Sequence, residues 1–404
     1  MSEGTAETKS GRAAGAALTI ALCFAVAVLE GYDIQALGVT APKIAPELGL
    51  HPEQMGFVFS ISNIGIVAGA AVGGWLMDRF GRKPIFIASV ITFGVFTFAT
   101  IFVTSFETLF AARLLTGVGF GAALPGLMAI SAEISSPDKR ASTATMMFCG
   151  MPLGGGLAAL LTSNLPADFD WRLVFMVGGL LPLVVALLIT FLMKETHTRA
   201  ERADSAKTGV FTALFGQGRA APTLLIWIAL LPTYIVLYII LNWLPTLVVD
   251  KGFDRSVAPQ ASMAFNFASV IGALVIGQLA DRFGFRWPLS LALVALIGVL
   301  WGLGHATDFT MVLVFSALVG VTLMGAQYAF LGVAASYYPE IVRGTGSGAA
   351  AGMGRVGSII GPMAAGMLLG AGASAATVLT ALVPAAAVAA LAVGGLGFFK
   401  RGGD

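Results

Sequence analysis

The chain contains Gly74-Trp75-Leu76-Met77-Asp78-Arg79-Phe80-Gly81 and, in its second half, Gly277-Gln278-Leu279-Ala280-Asp281-Arg282-Phe283-Gly284. Six of these eight positions are identical, and the copies lie 203 residues apart in a chain of 404. At the same offset, further identical residues pair as Pro42 with Pro245, Gly49 with Gly252, Gly117 with Gly320 and Arg140 with Arg343. The repeat predicts two similar halves. Two apolar halves are typical of membrane transporters that hold their substrate between them.

The composition argues against a water-soluble protein. Hydrophobic residues make up 57% of the chain and charged residues only 11%, whereas a soluble domain carries about 25% charged residues. The formal net charge is +2, and no basic run is interleaved with aromatic residues, so we expect no nucleic acid partner. The surroundings that this composition predicts are those of a lipid bilayer.

Twelve stretches are long and apolar enough to cross a membrane as helices, since a spanning helix needs about 20 apolar residues. They cover 16–38, 54–76, 85–104, 108–132, 141–163, 172–193, 223–248, 259–280, 288–306, 310–336, 344–370 and 372–399. We predict an all-α polytopic membrane protein with twelve transmembrane helices in two six-helix, pseudo-symmetric halves. Its divisions are a flexible N-terminal tail (1–15), an N-terminal half (16–193), a cytoplasmic linker (194–222), a C-terminal half (223–399) and a C-terminal tail (400–404).

The positions of lysine and arginine predict the orientation, because cytoplasmic loops of membrane proteins are enriched in both. Of the 23 lysine and arginine residues, only four fall in loops on one side of the predicted bundle: Lys43, Arg172, Lys251 and Arg255. Two lie within predicted helices, Arg113 and Arg355, and all others lie on the side of the termini. We therefore expect both termini in the cytoplasm. The membrane that we expect is of the bacterial inner (cytoplasmic) type.

Each copy of the repeated block ends an even-numbered predicted helix and begins a cytoplasmic loop. Gly74 and Gly81 permit close packing and a tight turn, and Asp78 and Asp281 can cap a neighbouring helix N-terminus. Positive side chains would hold the loop on the cytoplasmic side: Arg79, Arg82 and Arg282. The block resembles the G-x-L-x-D-R-x-G-R-K loop of the major facilitator superfamily, with one departure, Phe285, in the second copy. The resemblance implies a loop that gates conformational change; a topology anchor alone is the alternative.

Charged residues inside predicted helices need a reason, because each costs about 3 kcal/mol on insertion scales. Glu30 and Asp33 lie three positions apart in the first predicted helix and so share a face. Two carboxylates close together in a low dielectric favour a bound proton, which makes both candidates for proton coupling. The alternative for Asp33 is solvation at the outer membrane surface. Arg113, in the fourth predicted helix, either neutralises Asp33 or meets a substrate carboxylate.

Other polar and aromatic residues in predicted helices are candidates for substrate binding. Tyr234, Tyr238 and Asn242 recur on one face of the seventh predicted helix, where Trp243 either lines a cavity or belongs to the interfacial aromatic belt. Arg355 lies among glycines in the eleventh, so its guanidinium either reaches a ligand carboxylate or bridges two helices. The remaining candidates are Gln327, Tyr328 and Asn63.

The sequence offers no residues for enzyme chemistry. The three histidines, His51, His197 and His305, fall in loops. No cluster of histidine, cysteine and carboxylate has metal-ligand spacing, and no serine, histidine and aspartate set is visible. We therefore expect neither an enzyme nor a bound metal or cofactor.

A second resemblance narrows the function. The stretch Glu30-Gly31-Tyr32-Asp33-Ile34-Gln35-Ala36-Leu37-Gly38 is similar to the helix 1 signature of aromatic acid:proton symporters, which usually begins with Asp. Three further stretches resemble that family: Asn242-Trp243-Leu244-Pro245, Tyr338-Pro339-Glu340 with Arg343, Thr345 and Gly346, and Gly354-Arg355 with Gly361-Pro362. Within the family the chain is most similar to transporters of 3-(3-hydroxyphenyl)propionate and related phenolic acids.

This resemblance implies import of a small aromatic carboxylate, of hydroxyphenylpropionate or hydroxybenzoate type, driven by protons. It implies Glu30 and Asp33 as coupling residues and Arg113 and Arg355 as partners of the anion; we expect a monomer. Other readings stay open: import of another organic anion or a sugar by the same fold, drug efflux by proton antiport, or a sensor that binds the acid without moving it. A sugar carrier would normally lack so many buried charges.

Overall fold

The computed structural model describes residues 3–135, 140–193 and 209–399, and within these ranges every regular element is a helix. The first part of the chain forms α1 (Glu3–Glu47), α2 (Pro52–Phe80), α3 (Arg82–Ala99), α4 (Phe106–Ile134), α5 (Arg140–Ser163) and α6 (Arg172–Leu192). The second part forms the short α7 (Val210–Phe215), α8 (Ala220–Asp250), α9 (Ala258–Phe283), α10 (Arg286–His305), α11 (Phe309–Val319), α12 (Gly325–Ser336), α13 (Glu340–Gly370) and α14 (Ala375–Leu396). A π-helical turn, Gly320–Met324, joins α11 to α12.

The described helices account for the twelve predicted spans, with α11 and α12 together forming the tenth. Eleven are long and apolar enough to cross a membrane; α13 falls short because its many glycines and Arg355 lower its apolar content. α1 begins at Glu3, inside the predicted tail 1–15. The predicted linker before residue 209 and the tail 400–404 lie outside the described residues.

Polar residues set the start of several helices. The Ser105 hydroxyl accepts a hydrogen bond from the backbone N–H of Thr108 (3.3 Å) at α4, and Asp308 accepts one from Met311 (2.9 Å) at α11. Ser374 caps α14 in the same way through the backbone N–H of Thr377 (3.3 Å). Such caps satisfy backbone N–H groups that have no partner inside the helix.

The sequence repeat is also a repeat of backbone conformation. Gly81 and Gly284, which follow α2 and α9, have φ angles of 96° and 76°. Gly49 and Gly252, 203 residues apart, have φ angles of 64° and 92°. Residues with a Cβ avoid this region, whereas glycine enters it without strain. These glycines therefore end corresponding helices in both halves of the sequence.

Helix packing repeats at the same offset. Gly69 of α2 lies against the backbone of Val118 in α4, and Gly272 of α9 lies against Val321 in the π turn. Two more pairs of contacts differ by the same 203 residues: Gly117 on Ser62 with Gly320 on Phe265, and Gly154 on Val28 with Gly357 on Leu231. Backbones approach this closely only where one residue lacks a side chain. The same close helix contacts thus occur in each half, as the predicted pseudo-symmetric fold requires.

The chain packs as two compact units. The first comprises Met1–Ala36, Ile61–Ala158 and Asp168–Arg199, and the second comprises Leu37–Ser60, Ala159–Ala167 and Ala200–Asp404. The core of the first unit includes Phe93 stacked on Phe120, with 4.4 Å between ring centroids. In the second unit, the end of α1 and the start of α2 pack against α8 and α13: Gly38 lies on Leu241 and Gly56 on Pro362.

Candidate functional site

Asp33 and Arg113 form a buried ion pair in the first unit. The guanidinium of Arg113 donates from Nη1 to Asp33 Oδ1 (3.0 Å), and its Nη2 donates to Oδ2. The Thr97 hydroxyl donates to the same Oδ1 at 2.7 Å. Asp33 is 0% exposed and Arg113 is 1% exposed, so solvation of Asp33 at the membrane surface is ruled out. The ion pair is one of the two interpretations that the sequence left open for Arg113.

Close backbone contacts bring these side chains together. Gly31, two residues before Asp33, lies against the backbone of Met151, which lets α1 approach α5. Gly117, one turn after Arg113, lies against Ser62 and so draws α4 onto α2. A Cβ at either glycine would overlap the facing carbonyl oxygen. Gly119 and Gly121 of α4 likewise lie against the backbones of Phe93 and Ile66, so the glycines of this helix form a packing surface.

Glu30 and Asn63 are buried in the same unit. Glu30 lies on α1 three residues before Asp33, and Asn63 lies on α2 one residue after Ser62. Phe175 of α6 faces the Asp33–Arg113 ion pair, with its ring centroid 6.0 Å from Cζ of Arg113. The first unit thus encloses the carboxylates of Glu30 and Asp33 together with Arg113 and Asn63, and the carboxylates are groups that can bind a proton.

The second unit brings Tyr234, Tyr238 and Arg355 together. The two tyrosine rings on α8 lie 6.2 Å apart at 13° between their planes. Arg355 of α13 donates from Nη1 to the Tyr238 hydroxyl at 3.2 Å. Gly354 makes room for the Tyr234 ring, because a Cβ there would meet the ring atoms. The result is a guanidinium held beside two parallel aromatic rings.

Asn242 and Trp243 are not part of this group. The Asn242 amide donates to the backbone carbonyl of Tyr238 at 2.7 Å and is buried. Trp243 is 2% exposed; its Nε1 donates to the carbonyl of Pro362 (3.1 Å), and its ring meets Phe59 edge-on at 5.1 Å. Trp243 therefore belongs to helix packing in the second unit, and its place in an aromatic belt at the membrane surface is ruled out.

Gln327 and Tyr328 follow the π turn on α12. Gln327 is buried and lines a very small cavity of about 10 Å³ with Thr233, Leu289 and Phe330. Its Oε1 has no hydrogen-bond partner within the described residues. π turns interrupt the regular hydrogen-bond ladder and occur often at functional sites. Tyr328 is partly buried.

The repeated block lies at helix ends, and its charged and aromatic side chains are exposed whereas Met77 is buried in the core. Arg79 covers the Phe80 ring at 5.6 Å, and Arg282 covers Phe283 at 5.3 Å, the same contact in each half. Gly74 faces open space, Gly81 has its positive φ, and Arg82 pairs with Glu133 of α4. Asp78 and Asp281 are exposed. α3 and α10 begin without a hydrogen bond from the side chain of their own N-cap residue, Gly81 or Phe285; the capping of a neighbouring helix by Asp78 and Asp281 stays a prediction.

Comparison with known proteins identifies the family. The model of the Major Facilitator Superfamily matches residues 23–362 and 253–400. The chain belongs to the Major Facilitator Superfamily. The 3-(3-hydroxy-phenyl)propionate transporter of Escherichia coli is 39% identical over 379 residues, which are 93% of this chain and 93% of that protein. The 4-hydroxybenzoate transporter PcaK of Pseudomonas aeruginosa is 33% identical over 408 residues, which are 93% of this chain and 91% of that protein.

A solved structure of a D-xylose-proton symporter agrees with the superfamily fold. It superimposes with a TM-score of 0.78 at 15% identity, covering 93% of this chain and 96% of that chain. Membership of the Major Facilitator Superfamily makes the chain a multi-pass membrane transporter and not an enzyme. The predicted fold class and superfamily are confirmed.

Two residues next to the buried Asp33–Arg113 ion pair could not be predicted from the sequence. Thr97 and Phe175 both contact the Asp33–Arg113 pair. Nothing singles them out beforehand, because threonine and phenylalanine are common in spanning helices and neither lies in a distinctive motif. Only the packing of α3 and α6 against α1 and α4 reveals them.

Proposed function

We propose that the chain is a proton-coupled symporter that imports an aromatic carboxylic acid of the hydroxyphenylpropionate or hydroxybenzoate type by alternating access. The observation that carries the proposal is the contact of Arg355 with Tyr238 beside the parallel Tyr234 ring. A guanidinium binds a carboxylate in two-pronged fashion, and aromatic rings bind another ring by offset stacking. The substrates in the names of the two relatives, a hydroxyphenylpropionate and a hydroxybenzoate, support the same chemistry.

The Asp33–Arg113 pair supplies the coupling in this proposal. Arg113 is buried, so it needs one anionic partner at every step. When Asp33 binds a proton, the pair loses its attraction and Arg113 is able to accept the substrate carboxylate instead. Glu30, on the same face of α1, is a second proton carrier. Protonation of Asp33 and binding of the substrate anion to Arg113 are thus linked through one guanidinium.

The remaining residues have supporting roles. Asn63, Asn242, Trp243, Gln327 and Tyr328 shape the binding region or hold its helices. The repeated loops gate the conformational change through Arg82 and Glu133 in the first half. The protein works as a monomer in the bacterial inner membrane with both termini in the cytoplasm, an orientation supported by the distribution of lysine and arginine.

The test is uptake of labelled compounds into proteoliposomes. The panel contains 3-(3-hydroxyphenyl)propionate, 4-hydroxybenzoate, an aliphatic acid and a sugar, each with and without an inward proton gradient. A potassium and valinomycin potential is imposed in a second series. Transport of one proton with each monoanion moves no net charge, so uptake is independent of the potential. A second proton moves one net positive charge, and the potential then adds about 2.3 kcal/mol of driving force per 100 mV.

Gradient-dependent accumulation of an aromatic acid is the expected result. Uptake of the sugar or the aliphatic acid alone would overturn the substrate assignment and leave only the superfamily. Binding of the aromatic acid without accumulation would instead favour a sensor. Uptake driven by an outward proton gradient would indicate an antiporter.

A further inference from the structure

The second unit holds a cavity of about 180 Å³ where the end of α1, the start of α2 and the end of α8 meet. Its walls are mainly apolar and include Pro42, Ala45, Leu50, Met55 and Trp243. Neither Tyr238 nor Arg355 lines it. The cavity has room for one small single-ring molecule.

Trp243 forms the inner wall of this cavity. Its indole is fixed by the hydrogen bond to Pro362 and by the edge-on contact with Phe59. Thr246, also in the lining, lies eight residues beyond Tyr238 on α8, which is about 12 Å at 1.5 Å per residue. The cavity and the Tyr238–Arg355 contact are therefore two separate places along one helix.

Two polar groups of the lining are without a protein partner. The Thr246 hydroxyl oxygen is buried and makes no hydrogen bond within the described residues, a situation that costs free energy unless a ligand or water supplies the bond. Arg255 is exposed at the rim and forms no ion pair in the described part of the chain.

The neighbour of Arg255 in the sequence, Asp254, is hydrogen-bonded to Ser256. The carboxylate of Asp254 accepts hydrogen bonds from the backbone N–H (2.7 Å) and the hydroxyl (2.6 Å) of Ser256. These bonds, and to a smaller degree the charge of Arg255, hold the pKa of Asp254 below its usual value. The guanidinium of Arg255 is thus the charged group that this cavity offers to a ligand.

We propose that this cavity is a second binding site, which takes an aromatic monocarboxylate with its ring against Trp243 and its carboxylate on Arg255 and Thr246. The apolar walls suit a ring, and the single cation at the rim suits a single negative charge. The inference rests on the proposed function for its ligand class. In the proposed orientation the cavity lies on the outer side, so it collects the acid before transport.

A thiol placed in the cavity reports its occupancy. The native cysteines, Cys23 and Cys149, are 0% and 9% exposed, so alkylation of Ala45→Cys by a maleimide gives a signal with little background. Purified Ala45→Cys protein in nanodiscs is titrated with 3-(3-hydroxyphenyl)propionate, with its uncharged amide and with propionate. If Ala45→Cys fails to fold, Pro46→Cys, which lines the same cavity, replaces it.

The acid should slow alkylation with saturation, while the amide and propionate should not do so at the same concentration. Adding Arg255→Gln should raise the half-protecting concentration about tenfold, the loss expected for one charge-assisted contact. Adding Arg172→Gln, which removes a positive charge from the same side without touching the cavity, should change nothing. The acid should still protect the thiol from alkylation in the Arg355→Ala variant, because Arg355 does not line the cavity.

Two results would overturn the inference while the proposed function stands. The first is proteoliposome uptake of the acid with no protection of the thiol. The second is protection that disappears in Arg355→Ala but persists in Arg255→Gln, because occupancy of the other site would then be the cause. Absence of both uptake and protection for every aromatic acid would instead refute the proposed function and this inference together.

Discussion

Arg113 of α4 and Asp33 of α1 make a two-pronged ion pair that is shielded from solvent on all sides. Thr97 of α3 donates a third hydrogen bond to the carboxylate, so three helices of the first unit meet at one acidic group. Desolvation offsets most of the attraction within a buried pair, which makes such pairs weak contributors to stability. We therefore propose that the pair serves the transport cycle and not chiefly the stability of the fold.

Asp33→Asn should abolish gradient-driven accumulation, because the amide cannot bind and release a proton. Exchange of labelled for unlabelled acid should survive, since exchange needs no net proton movement. Both activities are measured in proteoliposomes that contain 3-(3-hydroxyphenyl)propionate. Accumulation at the level of the unmodified protein would refute a coupling role for Asp33.

Arg113→Gln should lower thermal stability more than Thr97→Val does. The first change leaves the Asp33 charge buried without its cation, which typically costs about 3–5 kcal/mol; the second removes one hydrogen bond to a charged group, about 1.5–3 kcal/mol. The double variant Asp33→Asn with Arg113→Gln should recover most of the loss. Unfolding temperatures in one detergent provide the comparison, and an additive double variant would show that the two residues do not interact.

Arg355→Ala should weaken binding of the aromatic acid by about 10- to 100-fold, the range for loss of a hydrogen-bonded charge. Tyr238→Phe should weaken binding by less, because it removes only the hydroxyl that positions the guanidinium. Tyr337→Phe is the matched control, since its hydroxyl bonds to the Leu396 carbonyl elsewhere in the second unit. Equilibrium binding to purified protein is the measurement. Unchanged affinity in a stable Arg355→Ala protein would make Arg355 a structural residue.

The helical fold could be predicted from the sequence because its physics is local. Apolar stretches of about 20 residues specify spans one at a time, and the repeat at 203 residues specifies that the two sets of spans pack alike. The positive φ angles of Gly81 and Gly284 follow directly from the repeated block. What the pattern does not show is that residues 37–60 pack with the second unit, because helix partners depend on tertiary contacts.

The candidate site could be predicted only in part. Rare groups such as Asp33, Arg113 and Arg355 are conspicuous in apolar helices, and the cost of burying charge predicts that they have partners. Trp243 carried two predictions: the structure rules out the aromatic belt, because Phe59 and Pro362 bury the ring, and places Trp243 in the wall of a cavity. Thr97 could not be predicted at all, since threonine is common in spanning helices.

Gly69→Val and Gly272→Val should each lower the unfolding temperature, and by similar amounts. Each glycine faces a backbone atom of the corresponding neighbour, Val118 or Val321, so a side chain would push two helices apart. Overpacking of this kind typically costs about 1–3 kcal/mol. Gly298→Val is the matched control, because nothing lies within 4 Å of a Cβ at that position of α10. A tolerated change at Gly69 with loss at Gly272 would mean that the two contacts are not equivalent.

Arg219→Ala should detach α7 from the start of α8 without affecting substrate binding. The Arg219 side chain is buried and donates to the carbonyls of Ala213 (2.8 Å) and Thr212 (3.0 Å) and to the Gln217 side chain (2.6 Å). It therefore ties the short helix back onto the next one across a turn. Hydrogen exchange of the amides in 210–216 should become faster, since local opening no longer breaks three bonds.

Arg219→Lys separates the charge from the geometry of this contact. A lysine ammonium keeps the positive charge but lacks the planar fork that reaches three acceptors in different directions. Exchange in 210–216 should then be nearly as fast as in Arg219→Ala, whereas a purely electrostatic tether would be restored by lysine. Slow exchange in Arg219→Ala itself would show that Thr223, whose hydroxyl donates to the Leu214 carbonyl at 2.8 Å, is sufficient to hold α7.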